Sequence, residues 1–367
     1  MSSHYTILTL DAGGTNFVFS AIKEGYEITE PITLSSCGDD LEKSLSNIIT
    51  GFSQTIKKLN EKPSAISFAF PGPADYPNGI IGDLGNLPAF KGGVPLKALL
   101  EEIFNIPVFI NNDGDLFAYG ESIVGFLGLV NKLSKDYGYS KSYTNLLGIT
   151  IGTGLGAGIV FNNNLYIGDN SSSAELWITR NSFFPKTFIE ESISIRAIQN
   201  TYYQATGKRD NLTMSPKDIY EIAKGEREGN KHAALFSFES LGNTLGDILA
   251  NTITLLDCNV VIGGGLSNAY SLFAPAMFKQ LNGKLSTFNG SNFSRLSCNV
   301  YDFENDAERA SFFNKKITKV NIPYSNRTID YDPNKRIAIG TTKLGTSRAI
   351  AIGAYYYAIN HLSRMKK

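Results

Sequence analysis

The amino-acid sequence predicts an α/β fold in two domains, and three observations support this class. Apolar runs of strand length alternate with amphipathic stretches of helical length along most of the chain, which is the pattern of α/β proteins. A strand, a glycine-rich turn and a second strand occur near residue 13 and again near residue 152, which suggests an internal duplication. The length of 367 residues also suits two domains of about 100 to 200 residues each.

The elements of the first third follow from apolar runs, glycine turns and helical periodicity. The run YTILTL is followed by DAGGTN and FVFSAI, which predicts two strands joined by a tight glycine turn. The segment 71–90 is dense in proline, glycine, asparagine and aspartate, which predicts a surface loop that carries function. The predicted elements are strands at 5–10 and 17–22, a helix at 41–59, a strand at 65–70, a helix at 95–104, a strand at 107–110 and a helix that begins with NNDGD.

The rest of the chain repeats the opening pattern and then becomes mainly helical. Residues 128–142 are polar and irregular, so they are predicted to form an insertion, and 282–332 are predicted as mixed strand and loop. The closing residues TSRAIAIGAYYYAINHL predict an apolar helix whose small residues allow it to pack on either domain. The other predicted elements are strands at 145–151 and 159–167, helices near 189–205, 216–225 and 232–256, and a strand in NVVIGGGLSNA that runs into a glycine turn and a helix.

Composition and charge exclude several classes of protein. Lysine plus arginine and aspartate plus glutamate both number 34, so the formal charge is zero and a nucleic-acid partner is not expected. No apolar run approaches the length of about 18 residues needed for a membrane span, and the N-terminus has no secretory pattern. The cysteines, Cys37, Cys258 and Cys298, lack the spacing of a disulfide framework or a zinc site. We therefore expect a cytoplasmic protein without membrane or nucleic-acid partners.

The first glycine turn has the residue types of a phosphate-binding loop. Asp11, Gly13, Gly14, Thr15 and Asn16 directly follow an apolar strand, where backbone N–H groups can face a phosphate and glycine leaves room for it. An aspartate at the end of the strand can bind Mg²⁺ directly or through water. An ordinary hairpin turn is the alternative for this motif taken alone.

The second glycine turn also matches the dinucleotide fingerprint, which makes an NAD-dependent oxidoreductase the rival interpretation. Residues 152–157, GTGLGA, fit the pattern G-x-G-x-x-A. That fingerprint must open a helix, whereas the residues that follow, IVFNNNLYI, have the composition of strands. No GxxxxGK[ST] sequence occurs either, so the sequence excludes a P-loop nucleotide hydrolase.

Two strand–glycine–strand motifs and a third glycine cluster describe a nucleotide held by two related domains. Seven motifs occur in order: LDAGGTN, FPGPAD, GNLPAF, INNDGDLFAYGE, GTGLGAGIV, SAEL and VIGGGLSNA. In order and spacing they resemble the ROK family of sugar kinases in the actin/hexokinase superfamily. The resemblance implies a two-domain actin-like ATPase fold, a duplicated ribonuclease H-like fold with the active site in the interdomain cleft. We accordingly predict a small domain, 1–112 with 346–367, and a large domain, 113–345.

The resemblance implies ATP-dependent phosphorylation of a hexose, with glucose at its 6-hydroxyl as the leading substrate and Mg²⁺ as the metal. Asp113 matches the family's general base, which takes the proton from that hydroxyl. His4, His232 and His361 lie outside the glycine-rich motifs, which independently favours a carboxylate base. A helix N-cap is the alternative role for Asp113.

Other family positions fall on polar residues and glycines of the same motifs. Asn86, Asn112, Glu175 and Glu190 match residues that hydrogen-bond sugar hydroxyls, although Glu191 is adjacent and the register between the two stays open. The resemblance places the phosphates at the glycine turns and the adenosine beside the third glycine cluster, and it implies a homodimer. The nucleotide-binding residues it indicates are Asp11, which also serves Mg²⁺, Gly13, Gly14, Thr15, Asn16, Gly152, Thr153, Gly154, Gly263, Gly264 and Gly265.

The glutamate motif departs from the family pattern. Many members have GEIGH followed by a cysteine-rich zinc loop, whereas this chain has AELWI, with Ile178 in the histidine position. No cysteine follows nearby, so no zinc is expected. Trp177 either packs in the core or stacks on the sugar ring. The open alternatives are a kinase for an N-acetylhexosamine or fructose and a non-catalytic protein that senses sugar or nucleotide.

Overall fold

The chain forms two compact units. A computed structural model of the protein describes residues 4–72, 74–82, 87–139, 141–207 and 214–365. The first unit comprises Met1–Gly125, Ala157–Ala174 and Leu344–Lys367, and the second comprises Phe126–Gly156 and Glu175–Lys343. This clustering places 113–125 and 157–174 with the N-terminal residues, whereas the predicted boundary lies before residue 113.

Strands and helices alternate through the first 125 residues. β1 and β5 are almost entirely buried, which accounts for the continuous apolar sequence that predicts them. Short 3₁₀ turns occur along the chain at Pro88–Phe90, Leu176–Ile178, Ile189–Glu191 and Gly265–Ala269. The elements are β1 (Thr6–Ala12), β2 (Asn16–Lys23), β3 (Tyr26–Glu27), β4 (Ile32–Ser35), α1 (Leu41–Lys57), β5 (Ala65–Ala69), β6 (Ala74–Asp75), β7 (Ile80–Ile81), β8 (Val94–Pro95), α2 (Leu96–Phe104), β9 (Val108–Asn111) and α3 (Asp113–Ile123).

The remaining residues are richer in helix, and a long helix closes the chain. The start of α6 shows why helices begin where they do, because Ser215 and Asp218 form a capping box there. Within the described ranges, no helix is both long enough and apolar enough to cross a bilayer. The elements are α4 (Phe126–Asp136), β10 (Leu146–Ile151), β11 (Leu155–Phe161), β12 (Asn164–Tyr166), α5 (Ile195–Thr206), α6 (Pro216–Lys224), α7 (Lys231–Leu256), β13 (Asn259–Gly263), α8 (Tyr270–Leu281), β14 (Lys284–Ser286), β15 (Asn292–Ser294), β16 (Asn299–Asp302), α9 (Asp306–Phe312), β17 (Thr318–Asn321), β18 (Thr328–Tyr331), β19 (Arg336–Thr341) and α10 (Thr346–Met365).

The first sheet has the order β3-β2-β1-β5-β9, with β4 also paired to β2. β1 runs antiparallel to β2 and parallel to β5, which in turn is parallel to β9. An aromatic cluster fills one side, where the ring of Phe52 on α1 lies 5.1 Å from that of Phe19 and 5.9 Å from that of Phe68. A second cluster joins Ile7 of β1 to Tyr355 and neighbouring residues of α10. Helices on both sides of the sheet therefore fix the ends of β1 and β9, where the site residues lie.

Helices α3 and α10 pack together through glycines in the first unit. A Cβ atom at Gly120 would lie 2.0 Å from the carbonyl oxygen of Ala349, and one at Gly353 would lie 2.0 Å from that of Leu116. Since these neighbours are backbone atoms, the two helices approach this closely only with glycine at both positions. The small residues of the predicted C-terminal helix thus serve its contact with α3.

The second sheet has the order β12-β11-β10-β13-β19-β16. β10 is parallel to β13, β13 is parallel to β19, and β19 is parallel to β16. In each sheet one strand, β1 or β10, is followed by a glycine turn. The same strand is also parallel to a strand from later in the chain, β5 for β1 and β13 for β10. This repeated topology supports the internal duplication that the two glycine motifs suggest.

Two predicted irregular segments are more ordered than expected. The prediction that 128–142 is irregular was wrong, because α4 covers most of it and buries Leu127 and Val130 on one face. Segment 282–332 contains the ribbons β14–β15 and β17–β18, strand β16 and helix α9. Buried Arg336 holds the end of this segment in place, because its guanidinium donates to the carbonyl oxygens of Asn314 and Asn334 at 2.8 Å.

Candidate active site

The turn between β1 and β2 is a compact, exposed loop of the first unit. The Gly13 N–H donates to the carbonyl oxygen of Asn16 at 3.0 Å, and a Cβ at Gly13 would lie 3.0 Å from that oxygen. Ser36 holds the outer side, because its hydroxyl donates to the Gly14 oxygen at 2.6 Å and its N–H to the Thr15 oxygen at 2.9 Å. Gly14, Thr15 and Asn16 remain exposed. The loop is therefore held in shape by its carbonyl groups while its outer backbone stays accessible.

Asp113 is the first residue of α3, and Asn112 is its N-cap. The Asn112 side chain accepts the Gly114 N–H at 2.8 Å, and Asp113 Oδ1 accepts the same N–H at 2.8 Å. The N-cap of α3 is therefore Asn112, whereas the alternative interpretation of the sequence gave that role to Asp113. The second carboxylate oxygen of Asp113, Oδ2, takes no part in this bond.

Electrostatics set Asp113 apart from an ordinary surface aspartate. Its side chain keeps an exposed edge, but the surrounding protein weakens its hydration, and this desolvation raises the pKa of the carboxyl group. The Gly114 hydrogen bond opposes the rise in pKa, while the nearby Asp11 carboxylate adds to it. A carboxylate with a raised pKa is a stronger proton acceptor, which suits a general base.

The amide of Asn112 is oriented by a short chain of hydrogen bonds. Its Nδ2 donates to the Tyr76 hydroxyl at 3.2 Å, and that hydroxyl donates to the Phe70 carbonyl oxygen at 3.0 Å. The loop after β5 thereby reaches the start of α3. Asn86, which the sequence predicts as a sugar ligand, lies outside the described residues.

The turn between β10 and β11 carries the predicted phosphate residues of the second unit. The Gly152 N–H donates to the Gly154 oxygen and the Ile195 N–H to the Gly152 oxygen, both at 2.9 Å. Thr153 is exposed at the tip of this turn. The turn is thus tied to the start of α5, which brings the segment before α5 alongside it.

Glu190 contacts this glycine turn directly, whereas Glu191 does not. Glu190 Oε2 accepts the Leu155 N–H at 2.9 Å and lies 2.6 Å from the position that a Cβ at Gly154 would occupy. Arg196 pairs with both carboxylates, with Glu191 at 2.6 Å and with Glu190 at 3.6 Å. Of the two candidates in the open register, Glu190 therefore lies at the second glycine turn.

Glu175 and Trp177 form a second polar contact in this unit. The Trp177 indole N–H donates to the Glu175 carboxylate, and the indole ring meets Phe188 edge-on with centroids 5.9 Å apart. Trp177 is half-buried, so only part of its side chain packs against the protein interior. Sequence reasoning missed the bond to Glu175, although an indole N–H two residues from a carboxylate offers a signal for it.

The third glycine cluster follows β13. Gly264 has φ +83°, and a Cβ there would lie 2.3 Å from the carbonyl oxygen of Ile151, so only glycine fits beside β10. Gly263 is the last residue of β13, and Gly265 is exposed at the start of a 3₁₀ turn with open space around it. The third glycine cluster thus lies beside the end of β10, where the second glycine turn begins.

Comparisons with known proteins identify the family. The sequence profile of the ROK family matches residues 7–302. The chain belongs to the ROK family. A glucokinase of Parabacteroides distasonis of known structure is 47% identical, with 98% of this chain and 99% of that chain covered and a TM-score of 0.89. A glucokinase of Thermotoga maritima is 25% identical over 77% of this chain and 90% of its own length, and an N-acetyl-D-glucosamine kinase of Photobacterium profundum is 28% identical over 72% and 85%. The predicted family, actin-like fold and enzyme class, a sugar kinase, are confirmed.

A buried asparagine organises the loop that follows Glu175 and Trp177. Asn181 is fully buried, its Nδ2 donates to Ser192 Oγ at 2.7 Å, and its Oδ1 accepts the N–H groups of Phe183 at 3.1 Å and Phe184 at 3.2 Å. Among the described residues, no cluster of three or more histidine, cysteine, aspartate or glutamate side chains is arranged to hold a metal. Sequence reasoning missed Asn181, because a single asparagine in a polar loop carries no distinctive pattern.

Proposed function

We propose that this ROK sugar kinase transfers a phosphoryl group from ATP to the 6-hydroxyl of a hexose, with glucose as the preferred substrate. The observation that carries the proposal is Asp113 at the start of α3, with a raised pKa beside an N-cap asparagine. The 47% identity to a glucokinase over nearly the whole chain supports glucose as the first candidate.

In the proposed mechanism, Asp113 removes the hydroxyl proton while the sugar oxygen attacks the γ-phosphorus, and the bond from that phosphorus to the bridging oxygen breaks so that ADP leaves. The Gly114 N–H fixes Oδ1, which leaves Oδ2 for the sugar. Asn112, Asn86, Glu175 and Glu190 bind other hydroxyls, because amides and carboxylates match groups that both donate and accept. Phosphoryl transfer needs chiefly positioning and charge stabilisation, and the two glycine turns suit this role toward the phosphates. Gly264 and Gly265 lie nearest the adenosine in this proposal.

Asp11 fits a magnesium ion that is held mainly by phosphate. Mg²⁺ in such sites takes one or two carboxylates together with phosphate oxygens and water. Asp11 is an exposed residue near the end of the buried strand β1, and it lies close enough to Asp113 to raise the pKa of that carboxyl group. When bound, the ion would neutralise negative charge on the phosphates. Asp11 would hold it directly or through water.

A panel of sugars tests the proposal. ADP release with glucose, mannose, fructose and N-acetylglucosamine is measured by a coupled assay, and glucose is expected to give the highest kcat/KM. The 28% identity to an N-acetyl-D-glucosamine kinase makes an N-acetylhexosamine the second candidate. Preference for that sugar would replace glucose as substrate, and no ADP release with any sugar would refute kinase activity.

Glu190 and Glu191 are expected to respond differently to neutralisation. Glu190→Gln keeps an oxygen for the Leu155 N–H but removes the charge, so the KM for the sugar should rise about tenfold, as expected when a charged hydrogen bond is lost. Glu191→Gln is the matched control, because Glu191 shares the partner Arg196 with Glu190 but makes no bond to Leu155, and KM should change less than about twofold. Steady-state kinetics on both variants decide the register, and the reverse order would assign the sugar to Glu191.

Trp177→Phe is expected to raise the KM for the sugar about fivefold with a smaller change in kcat. The substitution keeps an aromatic ring against Phe188 but removes the N–H that orients Glu175, which corresponds to the loss of about one hydrogen bond. Phe188→Leu serves as control, because it alters the ring contact and leaves the N–H. An unchanged KM for Trp177→Phe would show that this bond does not position Glu175 for the sugar.

A further inference from the structure

The segment that carries Glu190 is fastened to the second glycine turn at both ends of the turn. At one end the Ile195 N–H donates to the Gly152 oxygen at 2.9 Å. At the other end the Leu155 N–H donates to Glu190 Oε2 at 2.9 Å. The segment is itself held in shape, because the hydroxyl of Ser194, the buried N-cap of α5, donates to the Glu190 carbonyl oxygen at 2.9 Å. A shift of the turn is therefore transmitted to this segment, and a shift of the segment to the turn.

The carboxylate of Glu190 occupies the space that a side chain at Gly154 would need. Its Oε2 lies 2.6 Å from the position of a Cβ at Gly154, and its carboxyl carbon lies 3.3 Å from the same position. Both distances are shorter than an ordinary van der Waals contact with a Cβ atom. Glycine at 154 thus leaves room for this carboxylate as well as for a phosphate.

The same carboxylate has acceptor capacity beyond its bond to the turn. A carboxylate group can accept about four hydrogen bonds, and Oε2 of Glu190 accepts one from the Leu155 N–H. Oε1 lies 3.6 Å from the Arg196 guanidinium, which is an ion-pair distance and too long for a hydrogen bond. The hydroxyl groups of a sugar are donors that suit the remaining positions. One side chain can thus bind the sugar and hold the phosphate turn at the same time.

Two physical effects follow when a sugar binds to Glu190. The negative charge of the carboxylate beside the turn repels the phosphates of ATP, and sugar hydroxyls that donate to the carboxylate disperse part of this charge. A bound sugar also restricts the Glu190 side chain to one rotamer, so the turn is already ordered when the nucleotide arrives and less conformational entropy is lost. Both effects make ATP bind more tightly when the sugar is present.

We propose that Glu190 couples the two substrates, so that a sugar bound to its carboxylate tightens the binding of ATP at the second glycine turn. This inference rests on the proposed function, in which Glu190 binds a sugar hydroxyl and the turn binds phosphate. Coupling between two sites is reciprocal, so ATP tightens the binding of the sugar by the same factor. Glu190 is then a positioning residue for the phosphate turn as well as a sugar ligand.

A thermodynamic cycle measures the coupling. The Kd for D-glucose is determined by isothermal titration calorimetry without nucleotide and with a saturating non-hydrolysable ATP analogue and Mg²⁺, and the ratio of the two Kd values is the coupling factor. We expect a factor of about ten in the wild type. In Glu190→Gln we expect less than about threefold, because glutamine keeps an oxygen for the Leu155 N–H but lacks the charge. Glu191→Gln is the matched control and should keep the wild-type factor. If the sugar panel favours N-acetylglucosamine, that sugar replaces glucose.

Gly154→Ala tests the contact from the side of the turn. The new Cβ must displace the Glu190 carboxylate, which can move because it is the far end of a flexible side chain, so the fold is retained. The Kd for glucose without nucleotide should rise about fivefold, although Gly154 is not proposed to touch the sugar. Gly152→Ala is the control within the same turn, since a Cβ there would meet no atom within 4 Å, and this Kd should change less than about twofold.

Each outcome decides the inference. A role for Glu190 in the shape of the turn alone would leave the coupling factor of Glu190→Gln at the wild-type value, and that result overturns the inference. An unchanged Kd for glucose in Gly154→Ala, or a wild type whose sugar binding ignores the nucleotide, overturns it as well. In these cases the enzyme still phosphorylates the sugar and the proposed function stands. If Glu190→Gln does not fold, Gly154→Ala carries the test. If no sugar of the panel is bound or phosphorylated, the proposed function fails and the inference fails with it.

Discussion

Replacing Asp113 with asparagine is expected to lower kcat by about 10³-fold, with little change in the KM for the sugar. Asparagine keeps the shape of the side chain, and its amide oxygen can still accept the Gly114 N–H, so the turn should hold its geometry. What is lost is the ability to take a proton. The coupled ADP assay measures the effect, and near-wild-type activity would remove Asp113 from the role of base.

The pH dependence of kcat provides a separate readout for the same residue. Desolvation raises the pKa of Asp113, with the Asp11 charge as a further contribution, so the wild-type rate should fall on acidification at a pH above the ordinary aspartate range. The rate falls because the base works only when ionised. The residual activity of the asparagine variant should lack this inflection, and an identical acid limb in both proteins would assign it to another group.

Stability serves as the control for this substitution. A carboxyl group whose pKa is raised on folding stabilises the native state only while it is protonated, so its contribution is present below its unfolded pKa and lost as pH rises through its folded pKa. Once ionised, Asp113 opposes folding, and asparagine removes that charge. The melting temperature of Asp113→Asn at pH 7 is therefore expected to equal or exceed that of the wild type. A clear drop would attribute the lost activity to the fold instead.

The elements that sequence reasoning located well are those with local causes. β1, β5 and the glycine turns follow from apolar runs and from glycines that no larger residue can replace, as at Gly264. α4 was missed, because its glycine, asparagine and lysines suggest a loop while its buried face depends on tertiary packing. The contact of the C-terminal helix with α3 was likewise undecided, since small residues allow packing without specifying a partner.

The residues of the candidate site also divide into those with a local sequence signal and those without one. Asp113 and the glycine turns stand in motifs that resemble those of the ROK family, and the roles predicted for them come from that resemblance. The choice between Glu190 and Glu191, the bond from Trp177 to Glu175 and the central place of Asn181 all depend on side-chain directions in irregular loops. No periodicity constrains such loops, so only the folded structure distinguishes neighbouring carboxylates there.

Gly353→Ala is expected to lower the free energy of unfolding by about 3 kcal/mol. The new Cβ would lie 2.0 Å from the carbonyl oxygen of Leu116 and 3.1 Å from the nitrogen of Gly120. Both are backbone atoms of α3, so no rotamer change relieves the overlap and the helices must separate. Alanine favours helix over glycine by about 1 kcal/mol, which makes a net loss of stability direct evidence for the close contact. Urea denaturation measures the change.

Ser363→Ala in the exposed last turn of α10 is the matched control, and its stability should stay within about 0.5 kcal/mol of the wild type.

Separation of the helices also moves the first turn of α3, so Gly353→Ala should lower kcat even at temperatures where the variant remains folded. Asp113 begins that helix, and proton transfer to it depends on distances of about 3 Å. A destabilised variant with full kcat would mean that α10 supports the fold without positioning the base. If Gly353→Ala is as stable as the wild type, the two helices do not pack as closely as the glycines would permit.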